Sequence, residues 1–116
     1  MKSGSLKIGV VGVCGSGKST LIKLLEPHGY HAQQIAQEHS YVPEMWQRLS
    51  PPDVLIYLEA SYPATVERKL FNWTDTEYKV QLQRLQHAKK HADLRLVTDD
   101  LTPQEVLDKV LSYLES

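Results

Sequence analysis

The stretch that decides the fold is residues 7–25, which read KIGVVGVCGSGKSTLIKLL. Its first part, Lys7–Val13, is a short valine-rich run, and such a run predicts a strand buried on both faces of a sheet. A glycine-rich turn, Gly12–Gly17, follows, and Lys18–Glu26 then carries leucines on one side of a predicted helix. The order of strand, turn and helix is that of one unit of an α/β protein.

Three further runs predict the rest of the sheet, at Tyr30–Ile35, Asp53–Glu59 and Leu94–Thr98. Helical patterns alternate with them at Glu44–Leu49, Ser61–Leu70, Asp75–His91 and Thr102–Leu114. The last of these begins with a capping box that has proline at the first helical position. The alternation predicts a three-layer α/β fold, in which a small parallel sheet of about four strands is flanked by helices.

Length and composition point to one domain over residues 1–116, with residues 1–5 expected to be disordered. The single cysteine excludes a disulfide framework and predicts a cytoplasmic protein. No apolar run approaches the roughly 20 residues that a membrane span needs. The net charge of −1 does not suggest a nucleic-acid-binding protein. Whether the chain forms a homo-oligomer is left open.

The motif that carries chemistry is Gly12–Ser19, which matches G-x-x-x-x-G-K-[ST], the P-loop pattern, at every fixed position. Its glycines allow the backbone to curl into an anion-binding nest at the start of a helix. Lys18 supplies a point charge for the β- and γ-phosphates, and the Ser19 hydroxyl is the expected Mg²⁺ ligand. The predicted nucleotide-binding residues are Gly12, Val13, Cys14, Gly15, Ser16, Gly17, Lys18, Ser19 and Thr20.

A P-loop predicts a nucleoside triphosphate as ligand without deciding what is done with it. The alternatives are a glycine-rich turn without function and an inherited loop that binds nucleotide weakly or not at all. The N-K-x-D motif that reads guanine in GTPases is absent from the sequence.

Residues 53–68, DVLIYLEASYPATVER, are similar to the small P-loop kinases that phosphorylate nucleosides and nucleotides. The pattern of those kinases here is an apolar strand ending in tyrosine and leucine, a Ser/Pro turn, and a helix ending in arginine. Residues 93–114 resemble the end of the same kinases, and the resemblance covers about Lys7 to Leu114. It implies a cytoplasmic kinase in a shortened form that uses ATP and Mg²⁺.

The resemblance places Arg68 at the start of a lid that closes over the transferring phosphate. Basic residues exceed acidic ones across the following segment, which includes Arg84. Residues 68–91 are therefore predicted to be a lid-like helical segment, with Arg68 and Arg84 as catalytic cations. The alternative for both arginines is a solvated helix face.

The same resemblance implies a catalytic acid before the strand at Asp53, where only about twenty-five residues fill a region that is longer in the kinases. Glu38 is the acid in the right kind of place, and it could accept a hydroxyl proton or hold Mg²⁺ through water. The alternative is a glutamate solvated in a loop. Tyr41, Trp46 and Trp73 could stack on a base or cover one end of the sheet, and packing is the expectation for each.

The function expected from the sequence is transfer of the γ-phosphate of ATP to a small molecule such as a nucleoside or nucleotide. The acceptor, and the choice between ATP and GTP, stay open. The alternative is a nucleotide-binding regulatory protein or NTPase with little or no phosphotransfer.

Overall fold

The computed structural model describes residues 6–48, 51–68 and 73–116. Four strands lie among them: β1 (Ile8–Gly12), β2 (Ala32–Gln34), β3 (Val54–Glu59) and β4 (Leu94–Val97). The α-helices are α1 (Lys18–Leu25), α2 (Met45–Arg48), α3 (Tyr62–Arg68), α4 (Asp75–His91) and α5 (Pro103–Leu114). Two 3₁₀ turns, Glu26–His28 and Gln37–His39, precede and follow β2.

The four strands form one sheet in the order β2-β1-β3-β4, and every neighbouring pair is parallel. Val10 of β1 pairs with Gln34 of β2 on one side and with Ile56 of β3 on the other. The predicted parallel sheet of about four strands is confirmed, and the chain belongs to the α/β class.

Side chains of the central strands alternate between two hydrophobic cores, one on each face of the sheet. The first core combines Ile8, Val10, Ile56 and Leu58 with residues of α1 and α5, among them Leu21, Leu25, Leu107 and Val110. The second combines Val11, Leu55 and Tyr57 with Trp46, Trp73, Leu85 and Ala88. The predicted packing of both tryptophans is confirmed. The same prediction is wrong for Tyr41, which is 86% exposed because its ring lies under the Arg84 guanidinium and outside both cores.

Each connection between strands passes over the face of the sheet that gives all crossovers the same hand. The chain runs from β1 to β2 through α1 on the first face, then reverses direction and reaches β3 and β4 through elements on the second face. A reversal of direction must change the face if the hand of the crossovers is kept. Because the direction reverses around β1, loops diverge at its carboxyl end and leave a crevice there.

Two elements differ from their predicted extent. The strand predicted over Tyr30–Ile35 has ladder pairing only at Ala32–Gln34, because Tyr30 turns into the first core instead. The short helix predicted to start at Glu44 begins at Met45. The ends of the predicted helices at Leu49 and Leu70 and the predicted disordered residues 1–5 lie outside the described residues.

The α4 helix, Asp75–His91, has the predicted bounds and is a packed part of the second layer, since Leu85 and Ala88 are completely buried. Its N-terminus carries a capping box formed by Thr74 and Glu77. The lid interpretation of residues 68–91 stays a prediction. None of the helices in the described part of the chain has the length and apolar character needed to cross a bilayer.

Candidate functional site

The candidate site lies in the crevice at the carboxyl end of β1. A cavity of about 640 Å³ opens there, within the size range of small-molecule sites. The residues lining it come from the loops after β1, β2 and β4, from the ends of β2 and α3, and from the starts of α1 and α5: Cys14, Gly15, Ser16, Gly17, Lys18, Ser19, Thr20, Leu21, Gln34, Glu38, His39, Arg68, Thr98, Leu101, Pro103 and Val106. The predicted nucleotide-binding residues Cys14–Thr20 are thus brought together with Glu38 and Arg68.

The glycine loop has the backbone geometry that its sequence predicts. Gly15 and Gly17 have φ angles of 84° and 102°, in the left-handed region that favours glycine. The amide of Ser16 donates to the Val13 carbonyl at 3.1 Å and closes the turn. Gly17 is the N-cap of α1 and offers no side-chain cap, so the first amides of the helix face the cavity without a side-chain acceptor.

Gly12 is required for a different reason. A β-carbon at this position would collide with the Leu58 carbonyl oxygen of β3 and would lie 2.7 Å from Ser16 Oγ. The end of β1 therefore lies closer to β3 than a residue with a β-carbon at position 12 would allow. Gly12 and Val13 shape the loop and lend carbonyl groups to it, while the cavity itself begins at Cys14.

Lys18 is folded back onto the loop and is almost completely buried. Its Nζ donates to the carbonyl oxygens of Gly12 at 2.7 Å and Val13 at 3.0 Å. The same atom lies 3.2 Å from Glu38 Oε2, and the two side chains are only 5% and 1% exposed. The charge predicted for the phosphates is therefore paired with the predicted catalytic carboxylate.

Glu38 reaches Lys18 from the 3₁₀ turn Gln37–His39, which follows β2. The solvated-loop alternative for Glu38 is excluded by its burial. Its second oxygen, Oε1, is buried and has no hydrogen-bond partner among the described residues, and the same is true of Ser16 Oγ. Both residues line the cavity. An unpaired buried polar atom costs about 1–3 kcal/mol, so the two atoms favour a polar ligand.

Arg68, the last residue of α3, ties the loop to the end of β4. Its Nη1 donates to the Gly15 carbonyl at 3.1 Å and to Thr98 Oγ1 at 2.9 Å, and its Nη2 donates to the Thr98 carbonyl. Thr98 Oγ1 in turn donates to the Ser16 carbonyl at 3.0 Å. Thr98 was missed by sequence reasoning, since a threonine that ends a strand carries no motif.

Arg84 is not among the residues that line the cavity. Its guanidinium carbon lies 4.5 Å from the centre of the Tyr41 ring, and its Nη1 donates to the Glu38 carbonyl at 3.3 Å. Arg84 therefore supports the turn that carries Glu38. Its predicted role as a catalytic cation stays a prediction, and the described arrangement gives it no direct contact with the cavity.

Gln81 of α4 is a second residue that the sequence did not reveal. Its side chain is buried, its Oε1 accepts from the Cys14 amide at 3.0 Å, and its Nε2 donates to Cys14 Sγ at 3.3 Å. A glutamine in the middle of a polar helix gives no signal that it will reach the loop, because the contact spans 67 positions.

Glu59, the acid at the end of β3, is not among the residues that line the cavity. Its Oε1 pairs with Lys89 Nζ at 2.7 Å. Burial and the charge of Glu59 together raise the pKa of Tyr57 well above its usual range.

The comparisons with known proteins identify no relative: no family model matches the chain, and no curated protein matches it.

Proposed function

We propose that the chain binds ATP with Mg²⁺ on the loop Gly12–Thr20, in a P-loop NTPase-like fold, and transfers the γ-phosphoryl group to a small molecule such as a nucleoside or nucleotide. The observation that carries the proposal is the uncapped start of α1 behind the left-handed Gly15 and Gly17, facing a cavity of about 640 Å³. Backbone amides converging at a helix N-terminus form an anion site.

The triphosphate has suitable partners along the loop. Ser16 Oγ is buried, has no hydrogen-bond partner within the described ranges, and can donate to a phosphate oxygen. Lys18 can exchange the Gly12 and Val13 carbonyls for phosphate oxygens, which are stronger acceptors because they are charged. Arg68 already lies on the Gly15 carbonyl, so a small movement brings its guanidinium to the same phosphates.

Two observations support Mg²⁺ as the accompanying ion. Ser19 contributes a hydroxyl and Glu38 an unpartnered carboxylate oxygen to the same cavity, and hard oxygen donors of this kind suit Mg²⁺. Ser19 would hold the ion directly and Glu38 through water. When bound, Mg²⁺ neutralises charge that develops on the phosphates.

Glu38 is the proposed base. In the nucleotide-free protein its Oε2 pairs with Lys18. Once the phosphates engage Lys18, the carboxylate is released to accept the proton of the acceptor hydroxyl, whose oxygen forms the new bond to the γ-phosphorus as ADP leaves. The base of the nucleotide has apolar side chains available at Leu101, Pro103 and Val106, which line the same cavity.

The second candidate is a nucleotide-binding regulatory protein or NTPase with little phosphotransfer. The position of Arg84 favours it, because this arginine stacks on Tyr41 and leaves Arg68 as the only arginine among the described residues that lines the cavity. A protein of this kind binds the nucleotide and passes the change to a partner.

Calorimetric titration with ATP and Mg²⁺, followed by a turnover screen with a panel of nucleosides and nucleotides, separates the two candidates. For the kinase, Arg68→Ala should lower turnover by about 10³–10⁵-fold and ATP affinity much less, because its charge is matched best in the transition state. Arg95→Ala, an exposed arginine of β4, is the matched control. ATP binding without turnover of any acceptor supports the regulatory protein, and failure to bind ATP contradicts both.

A further inference from the structure

Three different metal-ligating side chains meet at the edge of the phosphate-binding loop. Cys14 Sγ lies 3.8 Å from His39 Nε2, and His39 Nε2 lies 3.7 Å from Glu38 Oε2. One ligand atom from each of the three residues falls within 4.8 Å of the others. The three come from two segments of chain, the glycine loop after β1 and the 3₁₀ turn after β2, so only the fold brings them together.

Two of the three separations, those from His39 Nε2 to Cys14 Sγ and to Glu38 Oε2, are close to those around a tetrahedral zinc ion. Zinc binds sulfur, nitrogen and oxygen at about 2.0–2.3 Å, which places neighbouring ligand atoms about 3.3–3.8 Å apart. The two measured pairs, 3.8 Å and 3.7 Å, share the imidazole nitrogen as a corner. Thiolate and imidazole are ligands that select zinc over magnesium.

A second observation points to an ion at this place. Glu38 is 1% exposed, its Oε1 has no partner among the described residues, and it lines the cavity next to Cys14 and His39. Oε2 is held by Lys18, which leaves one oxygen of the carboxylate without an interaction. A cation is the partner that a buried carboxylate oxygen binds most strongly.

Neighbouring residues hold the three ligands in position. The Gln81 side chain accepts a hydrogen bond from the Cys14 backbone amide and donates one to Cys14 Sγ. Arg84 donates to the Glu38 carbonyl. Such outer contacts orient metal ligands and are a regular part of metal sites. Gln81 and Arg84 would then share one role, which is to orient ligands of the same site.

We propose that Cys14, Glu38 and His39 form a site for Zn²⁺, with three protein ligands and a water molecule in the fourth position. The thiol of Cys14 binds as thiolate and releases its proton to solvent. The ion would tie the phosphate-binding loop to the turn that carries Glu38. The proposal is argued from these side chains and not from nucleotide binding. Because Glu38 is also the proposed base, Zn²⁺ would occupy it in the nucleotide-free protein.

The test uses the full chain, free of metal and nucleotide, titrated with Zn²⁺ by calorimetry and with Co²⁺ by absorption spectroscopy. We expect one equivalent of either ion to bind, and Co²⁺ to give a thiolate-to-metal charge-transfer band. This band reports Cys14 specifically, because the chain has one cysteine. Cys14→Ser and His39→Ala should each lower the affinity by about 100-fold or more, since even outer contacts of metal sites change affinity 10–100-fold.

Two other histidines provide the controls. His31→Ala removes an imidazole that is exposed, as His39 is, and His91→Ala removes one of the paired imidazoles of α4, whose ring centres lie 4.4 Å apart. Both variants should bind Zn²⁺ as the parent protein does. The site is overturned if no equivalent of Zn²⁺ binds, if the cobalt complex lacks the thiolate band, or if His91→Ala abolishes binding while His39→Ala retains it.

Discussion

At the scale of single residues, the centre of this protein is a lysine and a glutamate that hold each other inside the fold. Lys18 and Glu38 pair at 3.2 Å with almost no exposure to solvent. Removing two charges from water is costly, and the pair is stabilised by the Gly12 and Val13 carbonyls that also accept from Lys18. Each charge is therefore tolerated only while the other is present.

A double-mutant cycle measures this dependence. Lys18→Met should lower the free energy of unfolding by about 3–5 kcal/mol, because it leaves the Glu38 carboxylate buried without a counter-charge. Lys18→Met combined with Glu38→Gln should cost much less than the sum of the single changes. Urea unfolding of the nucleotide-free variants gives the values, with Lys23→Met, an exposed lysine of α1, as control. Additive single effects would show that the two residues do not interact.

Substitution of Ser16 distinguishes a role in ligand binding from a role in the stability of the fold. Its buried hydroxyl has no partner in the described structure, so Ser16→Ala should leave the free energy of unfolding unchanged or raise it. ATP affinity should fall about 10- to 100-fold, the value of a hydrogen bond to a charged group. Calorimetry and urea unfolding test the two parts, and Ser112→Ala in α5 is an exposed control. Unchanged ATP affinity would remove Ser16 from the proposed site.

At the scale of elements, the site depends on loops that follow parallel strands and are joined to each other. Asp99, just after β4, accepts from the Ser61 amide, just after β3, at 2.8 Å. Hydrogen bonds from the Ser61 hydroxyl and amide lower the pKa of Asp99, and the Arg68 charge lowers it further. This link places α3, and hence Arg68, beside the glycine loop.

The lowered pKa predicts how stability changes with pH. A carboxylate with a pKa below its unfolded value of 3.8 stabilises the folded state above that pH, and the contribution is lost as the pH falls through the folded pKa. Asp99→Asn keeps an acceptor for Ser61 and removes the charge. The parent protein should be more stable than this variant at pH 7, and in urea unfolding the difference should shrink as the pH falls below 3.8. A difference that does not change as the pH falls would contradict the assignment.

At the scale of the whole molecule, two cores share one sheet. Strands β1 and β3 contribute to both faces, with Val10 and Ile56 in the first core and Val11 and Tyr57 in the second. Because both cores use β1 and β3, neither core can form without strands that also form the other. The loop that carries the candidate site leaves β1, the strand between the two cores, and is therefore anchored in both.

Cooperative unfolding follows from this shared sheet. Leu21→Ala in the first core and Leu85→Ala in the second should each cost about 2–5 kcal/mol. In either variant, circular dichroism and tryptophan fluorescence should report one transition, although Trp46 and Trp73 both lie in the second core. Val97→Ala, at a side chain 57% exposed, should change stability by less than about 0.5 kcal/mol. Separate transitions in Leu21→Ala would show that the cores unfold independently.

Local patterns in the sequence were sufficient for the elements and for the loop. The strand Asp53–Glu59 could be predicted from its run of consecutive apolar residues, which is typical of burial on both faces. The helix Asp75–His91 could be predicted from the helical spacing of its apolar residues. The glycine loop Gly12–Ser19 could be predicted because the P-loop pattern places glycines at set spacings, and the left-handed φ angles of Gly15 and Gly17 agree with that prediction.

Contacts between distant segments were decided by the tertiary structure alone. Three such contacts join residues that lie 20 to 67 positions apart. They are the pairing of Glu38 with Lys18, the hydrogen bonds between Gln81 and Cys14, and the position of Arg84 on Tyr41. No periodicity encodes them, because they depend on which strand lies beside β1 and on which face α4 packs. The sequence by itself determined the layers and the loop; the order β2-β1-β3-β4 decided which side chains surround it.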